Sequence, residues 1–277
     1  MTGAAFLGHG RFVAFAVLSG LTGFGVTVIA RSTLVGVIVT IAQIAVTMTQ
    51  ALLRAELTKT RTLPATWIAL GVASAANTVL GLLAATDTVR LAGPDGPVAI
   101  GRLGTLMVAP VYAFVAIAVF AAGSEYRAGQ LRVSLAAVPE RHRLAAAKLA
   151  AVTAACLLAA GPAVLPGHLV RPVADPAALL RVYLLLSLVG YGFAVVARGV
   201  VAPLAVLFVT PVLISPALRG SLPDAVRLLP REAALSLLGL PADPATALNR
   251  TDGLLTLIAW AGLSVGAGWA ALVRRDA

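Results

Sequence analysis

The sequence predicts an all-α membrane protein in which eight apolar helices enter or cross the bilayer. The chain has 277 residues, of which 60% are hydrophobic and 12% charged, and its mean hydropathy is +0.96. Several stretches contain about 20 apolar residues without a charge, the length that a helix needs to cross about 30 Å of hydrocarbon. Helices are expected because a helix satisfies its own backbone polar groups in lipid.

The apolar runs define the candidate spans. They are Phe12–Ala30, Leu34–Leu53, Ala65–Ala85, Gly104–Ala122, Leu149–Leu165, Val182–Ala197, Val200–Leu218 and Leu254–Leu272. The last six form a predicted core over residues 51–277. The first two form an extra N-terminal pair over residues 1–50.

This extra pair resembles a later part of the chain. Gly23–Arg31 parallels Gly190–Arg198, both with a Gly-x-Gly start and an Ala-Arg end. We interpret residues 1–50 as a partial duplicate of residues 182–218. Chance likeness between two glycine-rich apolar helices is the alternative, since glycine is common in membrane helices.

An amphipathic helix is predicted over residues 51–62, between the extra pair and the core. Arg54, Lys59 and Arg61 alternate there with leucines, and the pattern ends at Leu63-Pro64. Such a helix lies along the membrane surface. The alternative is the polar end of a longer helix.

Residues 124–143 interrupt the apolar chain with charge and contain a candidate docking element. The polar or small residues of this segment that are candidates for contact with a partner are Glu125, Arg127, Gly129 and Arg132. Leu131, Leu135 and Val138 follow helical spacing and predict one apolar stripe on a short surface helix. The alternative is an ordinary charged loop. A second loop, residues 219–252, carries proline and glycine signals for two short helices, the second too short to cross the bilayer.

The sequence lacks the residues that several kinds of chemistry require. No glycine precedes Lys59 or Lys148, so the chain has no phosphate-binding P-loop of its own. The middles of the predicted spans carry no ionisable residue, and neither catalytic residues nor a metal site is predicted. The formal net charge of +10 comes from arginines at span ends, which indicates membrane anchoring and not nucleic-acid binding.

The order of these features resembles the ABC-2 type permeases, the membrane subunits of one class of ATP-driven exporter. The resemblance covers about residues 51–277. It is carried by Arg-x-Glu-x-x-Lys-x-Arg-Thr at Arg54–Thr62, Glu-Tyr-Arg-x-Gly at Glu125–Gly129, the segment Pro139–Lys148, Leu229-Pro230 and the Arg-Arg-Asp-Ala ending at Arg274–Ala277. The chain departs from the pattern at Gln130, where a threonine commonly follows the glycine, and in its extra N-terminal pair.

The resemblance implies a six-helix core that pairs with a second permease copy or homologue. Two cytoplasmic ATPase subunits, which hold the ATP and Mg²⁺, would engage residues 124–143 as a coupling segment. The exported substrates of the family are lipids, polysaccharides, peptides or drugs. Gly190, Gly192 and Pro211 are the candidates for helix packing or gating during transport.

The basic residues predict an orientation in the cell membrane. With the segment after Ala122 in the cytoplasm, the inner loops carry more arginine and lysine than the outer ones, and the C-terminus is cytoplasmic. The preference for arginine over lysine suggests a bacterial gene. Two other functions remain open: a non-transporting or decayed membrane scaffold, and an intramembrane enzyme, which the missing catalytic clusters disfavour.

Overall fold

The computed structural model describes residues 50–86, 89–93, 96–100, 103–127, 129–138, 140–172, 174–241 and 243–274. The predicted span Phe12–Ala30, most of Leu34–Leu53 and the proposed duplicate of residues 182–218 lie outside the described residues. The chain divides into two units, Met1–Ala55 and Glu56–Ala277, and the fold below is that of the second. The division lies inside the predicted amphipathic helix and not before it.

The described chain is almost entirely helical. The helices are α1 (residues 50–62), α2 (Pro64–Thr86), α3 (Gly104–Met107), α4 (Pro110–Gly123), α5 (Gln130–Ala137), α6 (Arg141–Val170), α7 (Pro176–Ala197), α8 (Val201–Val209), α9 (Ser215–Leu218), α10 (Pro223–Val226), α11 (Pro230–Leu238) and α12 (Arg250–Arg274). Residues Ser124–Tyr126 and Pro244–Thr246 form 3₁₀ turns, and Thr210–Ile214 form a π-helix.

Five of these helices are long and apolar enough to cross a membrane. They are α2, α6, α7, α12 and the continuous helix Val201–Leu218 that contains α8 and α9. They confirm five of the six predicted core spans, so the chain fits an all-α multi-pass membrane protein. The sixth prediction, Gly104–Ala122, is divided into α3 and α4, because Pro110 has no N–H with which to continue the helix of α3.

Prolines and a glycine set several helix boundaries. Pro64, Pro176 and Pro230 each occupy the first position of a helix, where the missing N–H costs nothing. Asp175 caps α7 by accepting a hydrogen bond from the Ala178 amide at 2.9 Å. Gly239 ends α11 in the left-handed conformation, with φ of 72°. Helices α10 and α11 are the two short helices predicted between residues 219 and 252.

Helix α7 lies at the centre of the bundle. In its most apolar stretch 61% of residues are buried, against 22–33% in the other four candidate spans. Its buried side chains include Val182, Leu186 and Val189, which pack into one core with residues from α4, α6 and α12. The other spans therefore leave wide apolar faces for lipid or another subunit.

A two-stranded hairpin, absent from the sequence prediction, follows α2. Strands β1 (Arg90–Gly93) and β2 (Gly96–Ala99) are antiparallel, with Arg90 opposite Ala99. The signal was present in the sequence, since Pro94, Asp95 and Gly96 are typical turn residues. The hairpin is a small addition to a helical fold.

Polar side chains of α2 bond backbone carbonyls of α6 between and beside its two prolines, and one of them compensates for Pro166. Pro166 cannot donate to the carbonyl of Pro162, and the Ser74 hydroxyl donates to that carbonyl at 3.1 Å instead. The Asn77 amide donates to the Ala163 carbonyl at 2.9 Å, and its oxygen accepts from the Tyr183 hydroxyl at 3.2 Å. Asn77 thus joins α2 to both α6 and α7.

Replacing Asn77 by leucine is expected to lower the free energy of unfolding by about 1–2 kcal/mol, because the buried Tyr183 hydroxyl loses its acceptor. Adding Tyr183→Phe to the same chain is expected to recover most of this loss, since no polar group is then left unpaired. Equilibrium unfolding in a membrane mimetic measures both values. Equal and additive losses from the two substitutions would contradict the pairing.

Candidate functional site

Four charged side chains form a cluster at the end of the bundle where α4 ends and α6 begins. Lys148 Nζ lies 2.6 and 2.5 Å from the two carboxylate oxygens of Glu125 and 3.1 Å from Glu56 Oε2. All three side chains are less than a tenth exposed. One buried ammonium group therefore holds two buried carboxylates, which would otherwise repel each other.

Lys59 completes this group of side chains, which we call the ion cluster. Its Nζ lies 2.8 Å from Glu56 Oε1 and 3.3 Å from Glu125 Oε1, with 40% of the side chain exposed. Burial alone would lower the pKa of Lys59, but the hydrogen bonds and charges of Glu56 and Glu125 raise it above its usual value. A raised pKa adds stability below the ordinary lysine pKa, and this contribution is lost only as the solution becomes strongly alkaline.

The ion cluster ties separate elements of the chain together. Glu56 and Lys59 belong to α1, Glu125 to the 3₁₀ turn after α4, and Lys148 to α6. Lys59 also donates to the Ser134 hydroxyl of α5 at 3.2 Å. The same 3₁₀ turn reaches α7 through the Tyr126 hydroxyl, which lies 3.4 Å from the Val195 carbonyl. A displacement of α5 is thus linked to α1, α4 and α6 by direct contacts.

The sequence interpretation missed the cluster, although a signal for it was present. Of the 21 basic residues only Lys59 and Lys148 are lysines, and both lie in the cluster. A lysine ammonium is a compact charge with three freely oriented donors, so it can bridge two carboxylates in a narrow space. A lysine pair in an arginine-rich chain was therefore the informative feature.

The predicted apolar stripe of α5 faces the chain's own core. Leu131 is buried, and Leu135 packs against the same core cluster. Val138 is not helical but extended, with φ of −131° and ψ of 90°, because a residue that precedes proline avoids the helical region. The Leu131 side chain therefore faces the core and the Glu125 carboxylate is buried in the ion cluster, while a docking role for Leu131, Leu135 and Val138 stays a prediction.

The outward face of α5 carries different residues. Arg132 is exposed, and the apolar Val133 is 71% exposed. Gly129 precedes the helix in the left-handed conformation, with φ of 66°, and helps α5 to lie at 82° to Pro110–Tyr126. Helix α5 therefore lies across the end of α4 and does not continue it, and Arg127 is exposed at the turn.

A groove of about 420 Å³ opens beside α5. Arg198, the residue directly after α7, lines it together with Glu125, Tyr126, Gly129, Leu131 and Arg132. Arg198 adopts a left-handed conformation with φ of 51°, a strained state for a residue other than glycine. The exposed side chains Arg132 and Val133 of α5, together with this groove, make up what we call the α5 surface.

Two of the three residues predicted for packing make close helix contacts. A Cβ on Gly190 would lie 2.5 Å from Val115 Cγ1 of α4, and one on Gly192 would lie 2.7 Å from the Val265 amide nitrogen of α12. Pro211 is buried within the π-helix, a form often found at functional sites. Their gating role stays a prediction.

The basic residues of α1 divide into two kinds. Arg54 and Arg61 are exposed, in keeping with a surface helix. Lys59 instead points its ammonium group toward Glu56 and Glu125. It therefore makes contacts inside the protein that its predicted role at the membrane surface did not include. The Trp67 indole donates to the Arg61 carbonyl at 2.8 Å and fixes the junction between α1 and α2.

A third buried carboxylate lies at the opposite end of the bundle. Glu232 Oε1 accepts from Ser215 Oγ at 2.7 Å and from Arg231 Nη1 at 2.8 Å, and Arg219 Nη2 lies 3.6 Å away. These contacts join α11 to α9, directly after the π-helix. Buried charge therefore occurs at both ends of the bundle, outside the middles of the predicted spans.

The described residues contain no cluster of three or more His, Cys, Asp or Glu side chains able to hold a metal ion. Comparison with known proteins identifies no relative, since no family model, curated protein or solved structure matches the chain. The resemblance to ABC-2 type permeases thus depends on the residues quoted above, and the function that follows is a proposal.

Proposed function

We propose that this chain is the permease subunit of an ABC-2 type exporter, and that a separate cytoplasmic ATPase subunit docks on the α5 surface. The observation that supports this most strongly is the placement of α5. It is a short helix at 82° to an apolar helix, with an exposed apolar residue outside and the ion cluster inside. A helix that transmits movement from a partner subunit needs an exposed side that the partner can bind and an inner side with fixed contacts to the bundle.

We propose that a movement of α5 reaches the rest of the bundle through the ion cluster. ATP and Mg²⁺ are held by the partner, which supplies the energy of hydrolysis. Moving α5 moves Ser134 and Lys59, and these act on Glu56 and Glu125 through contacts of 2.8–3.3 Å. Lys148 then passes the movement to α6, because separating it from two desolvated carboxylates costs several kcal/mol.

The proposed orientation places the ion cluster on the cytoplasmic side of the cell membrane. The same side then carries the exposed Arg61, Arg132 and Arg143 and the C-terminal Arg274. Arginine-rich inner loops agree with the positive-inside rule. The C-terminus is cytoplasmic in this arrangement, and a bacterial cell membrane is the proposed location.

A second permease copy or homologue completes the proposed transporter. Helix α2 presents large exposed side chains along one side, among them Ile68, Val72 and Val79. The continuous helix Val201–Leu218 is equally open, with only 22% of its most apolar stretch buried. In a dimer, part of this exposed apolar surface contacts lipid and the rest contacts the second subunit.

Replacing Val133 by aspartate is expected to weaken binding to the proposed ABC-type ATPase partner by roughly tenfold or more, because a charge then enters the contact. Val133→Ile is the matched control and is expected to keep binding. Copurification from membranes, with the fold checked by thermal unfolding, measures both. ATPase binding that is unchanged in Val133→Asp would contradict docking on the α5 surface.

The alternative is a non-transporting membrane scaffold or regulatory protein. It would bind no ATPase at the α5 surface, and no substrate would move when the chain is reconstituted with the ATPase and ATP. The Val133 variants together with a transport assay therefore separate the two functions.

A further inference from the structure

We propose that a pocket at the opposite end of the bundle binds the headgroup of an anionic phospholipid. The pocket has a volume of about 190 Å³ and lies between the beginnings of α7 and α12 and the end of α11. None of its residues belongs to the ion cluster or to the α5 surface. The proposal requires a membrane-embedded chain but not the exporter function.

The position of the pocket places it at headgroup depth. Helices α7 and α12 are both candidate spans, and the pocket is lined by their first turns, with Asp175 and Ala178 from one and Arg250 and Thr251 from the other. The first turn of a spanning helix is where the chain leaves the polar interface and enters hydrocarbon. A ligand in this pocket therefore meets the lipid headgroups.

The charge of the pocket favours an anion. Two arginines, Arg181 and Arg250, and one acidic residue, Asp175, line it, which leaves one positive charge in excess. Asp175 is engaged by the Ala178 amide at 2.9 Å and by Arg181 at 3.6 Å, so this carboxylate is held at the edge of α7. The Arg250 side chain makes no hydrogen bond or ion pair with any of the residues that the structure describes.

The guanidinium group of Arg250 lies beside the end of α11. It lies against the left-handed turn at Gly239, where a Cβ would come within 2.9 Å of Nη2. The glycine therefore leaves room for this side chain beside the end of α11. An exposed arginine whose five donors make no hydrogen bond within the described residues suits the bidentate recognition of a phosphate group.

The remaining walls suit the rest of a lipid molecule. Leu254 lies one turn further along α12 and is half-buried, and Leu238 closes the α11 side. Polar donors at the mouth and leucines toward the bilayer match a phosphate joined to glycerol and acyl chains. Guanidinium groups at such a position bind the phosphate of a lipid headgroup through paired hydrogen bonds.

The test uses the purified full chain in bilayer discs of phosphatidylcholine with increasing amounts of phosphatidylglycerol. We expect the unfolding temperature of the natural sequence to rise with the phosphatidylglycerol fraction, which gives an apparent Kd. Arg250→Gln should weaken this Kd about fivefold, and Arg181→Gln with Arg250→Gln about twenty-five-fold. Arg250→Lys should lose less, because it keeps the charge.

Arg171→Gln is the matched control, since this exposed arginine ends α6 on the same side but lies outside the pocket. It is expected to keep the dependence on phosphatidylglycerol. A double variant that responds to phosphatidylglycerol as strongly as the natural sequence would overturn the proposal. Inorganic phosphate that saturates the same effect without anionic lipid would identify a free phosphate site and would overturn the lipid assignment.

Discussion

Replacing Lys148 by methionine is expected to lower the free energy of unfolding by about 3–5 kcal/mol, one of the two largest effects in this molecule. The ammonium group of Lys148 lies within 3.1 Å of both Glu56 and Glu125, and all three side chains are almost completely buried. Without it, two desolvated carboxylates face each other with only the half-exposed Lys59 as counter-ion. Equilibrium unfolding of the purified chain in a membrane mimetic measures the loss.

Lys59→Met is the matched control for this substitution. It makes the same chemical change beside the same two carboxylates, but its ammonium group is 40% exposed and water already screens it. The expected loss is therefore about 1 kcal/mol or less. Similar losses in the free energy of unfolding at the two lysines would show that burial does not determine how much each lysine contributes to stability. Adding Glu56→Gln and Glu125→Gln to Lys148→Met should recover stability, because no buried charge then lacks a partner.

Replacing Gly192 by leucine is expected to cost about 3 kcal/mol or more, because the backbones of α7 and α12 touch at this position. A Cβ there would overlap the Ser264 carbonyl group and approach the Val265 nitrogen to 2.7 Å. Backbone atoms of a packed helix cannot move aside as a side chain can, so the two helices must separate. Thermal unfolding of the purified chain reports the loss.

Gly266→Leu is the control on α12, where a Cβ would meet no atom within 4 Å. It is expected to change the free energy of unfolding by less than about 0.5 kcal/mol. If Gly266→Leu were as destabilising as Gly192→Leu, the close approach of α7 and α12 would not be the cause. The comparison also tests whether α7 is the centre of the bundle.

The sequence predicted the helices well where their boundaries have a local cause. The prolines that begin α2 and α11, and the glycine that ends α11, restrict the backbone at single positions, so they can be recognised without the fold. The division of the second predicted core span, Gly104–Ala122, at Pro110 had the same kind of signal. It was overlooked because the apolar run continues on both sides.

The direction of the α5 stripe could not be predicted from spacing alone. Leu131 and Leu135 share one side of a helix whether that side faces a partner or the chain's own core. Only the packing shows that they face inward and that Val133 faces outward. An apolar stripe therefore predicts a buried face without saying what buries it.

The buried charges depended on contacts between residues far apart in the sequence. Glu56 and Lys148 are separated by 92 positions, and no local pattern joins them. Glu232 was visible only as the acidic residue of a short helix, and its contacts with Ser215 and Arg219 arise from the turn that returns the chain along the bundle. The unusual scarcity of lysine was the available signal for the first cluster.

Labelling of a single cysteine at Val133 tests the central claim most directly. The natural Cys156 is completely buried, so Val133→Cys supplies an exposed thiol for a membrane-impermeant maleimide. Leu222→Cys, at an exposed site near the opposite end, serves as the control. We expect Val133→Cys to be labelled only in inside-out vesicles and to be protected there by the ATPase partner, and Leu222→Cys to be labelled in intact cells. Labelling of Val133→Cys in intact cells would place the α5 surface outside the cell and contradict the proposed function.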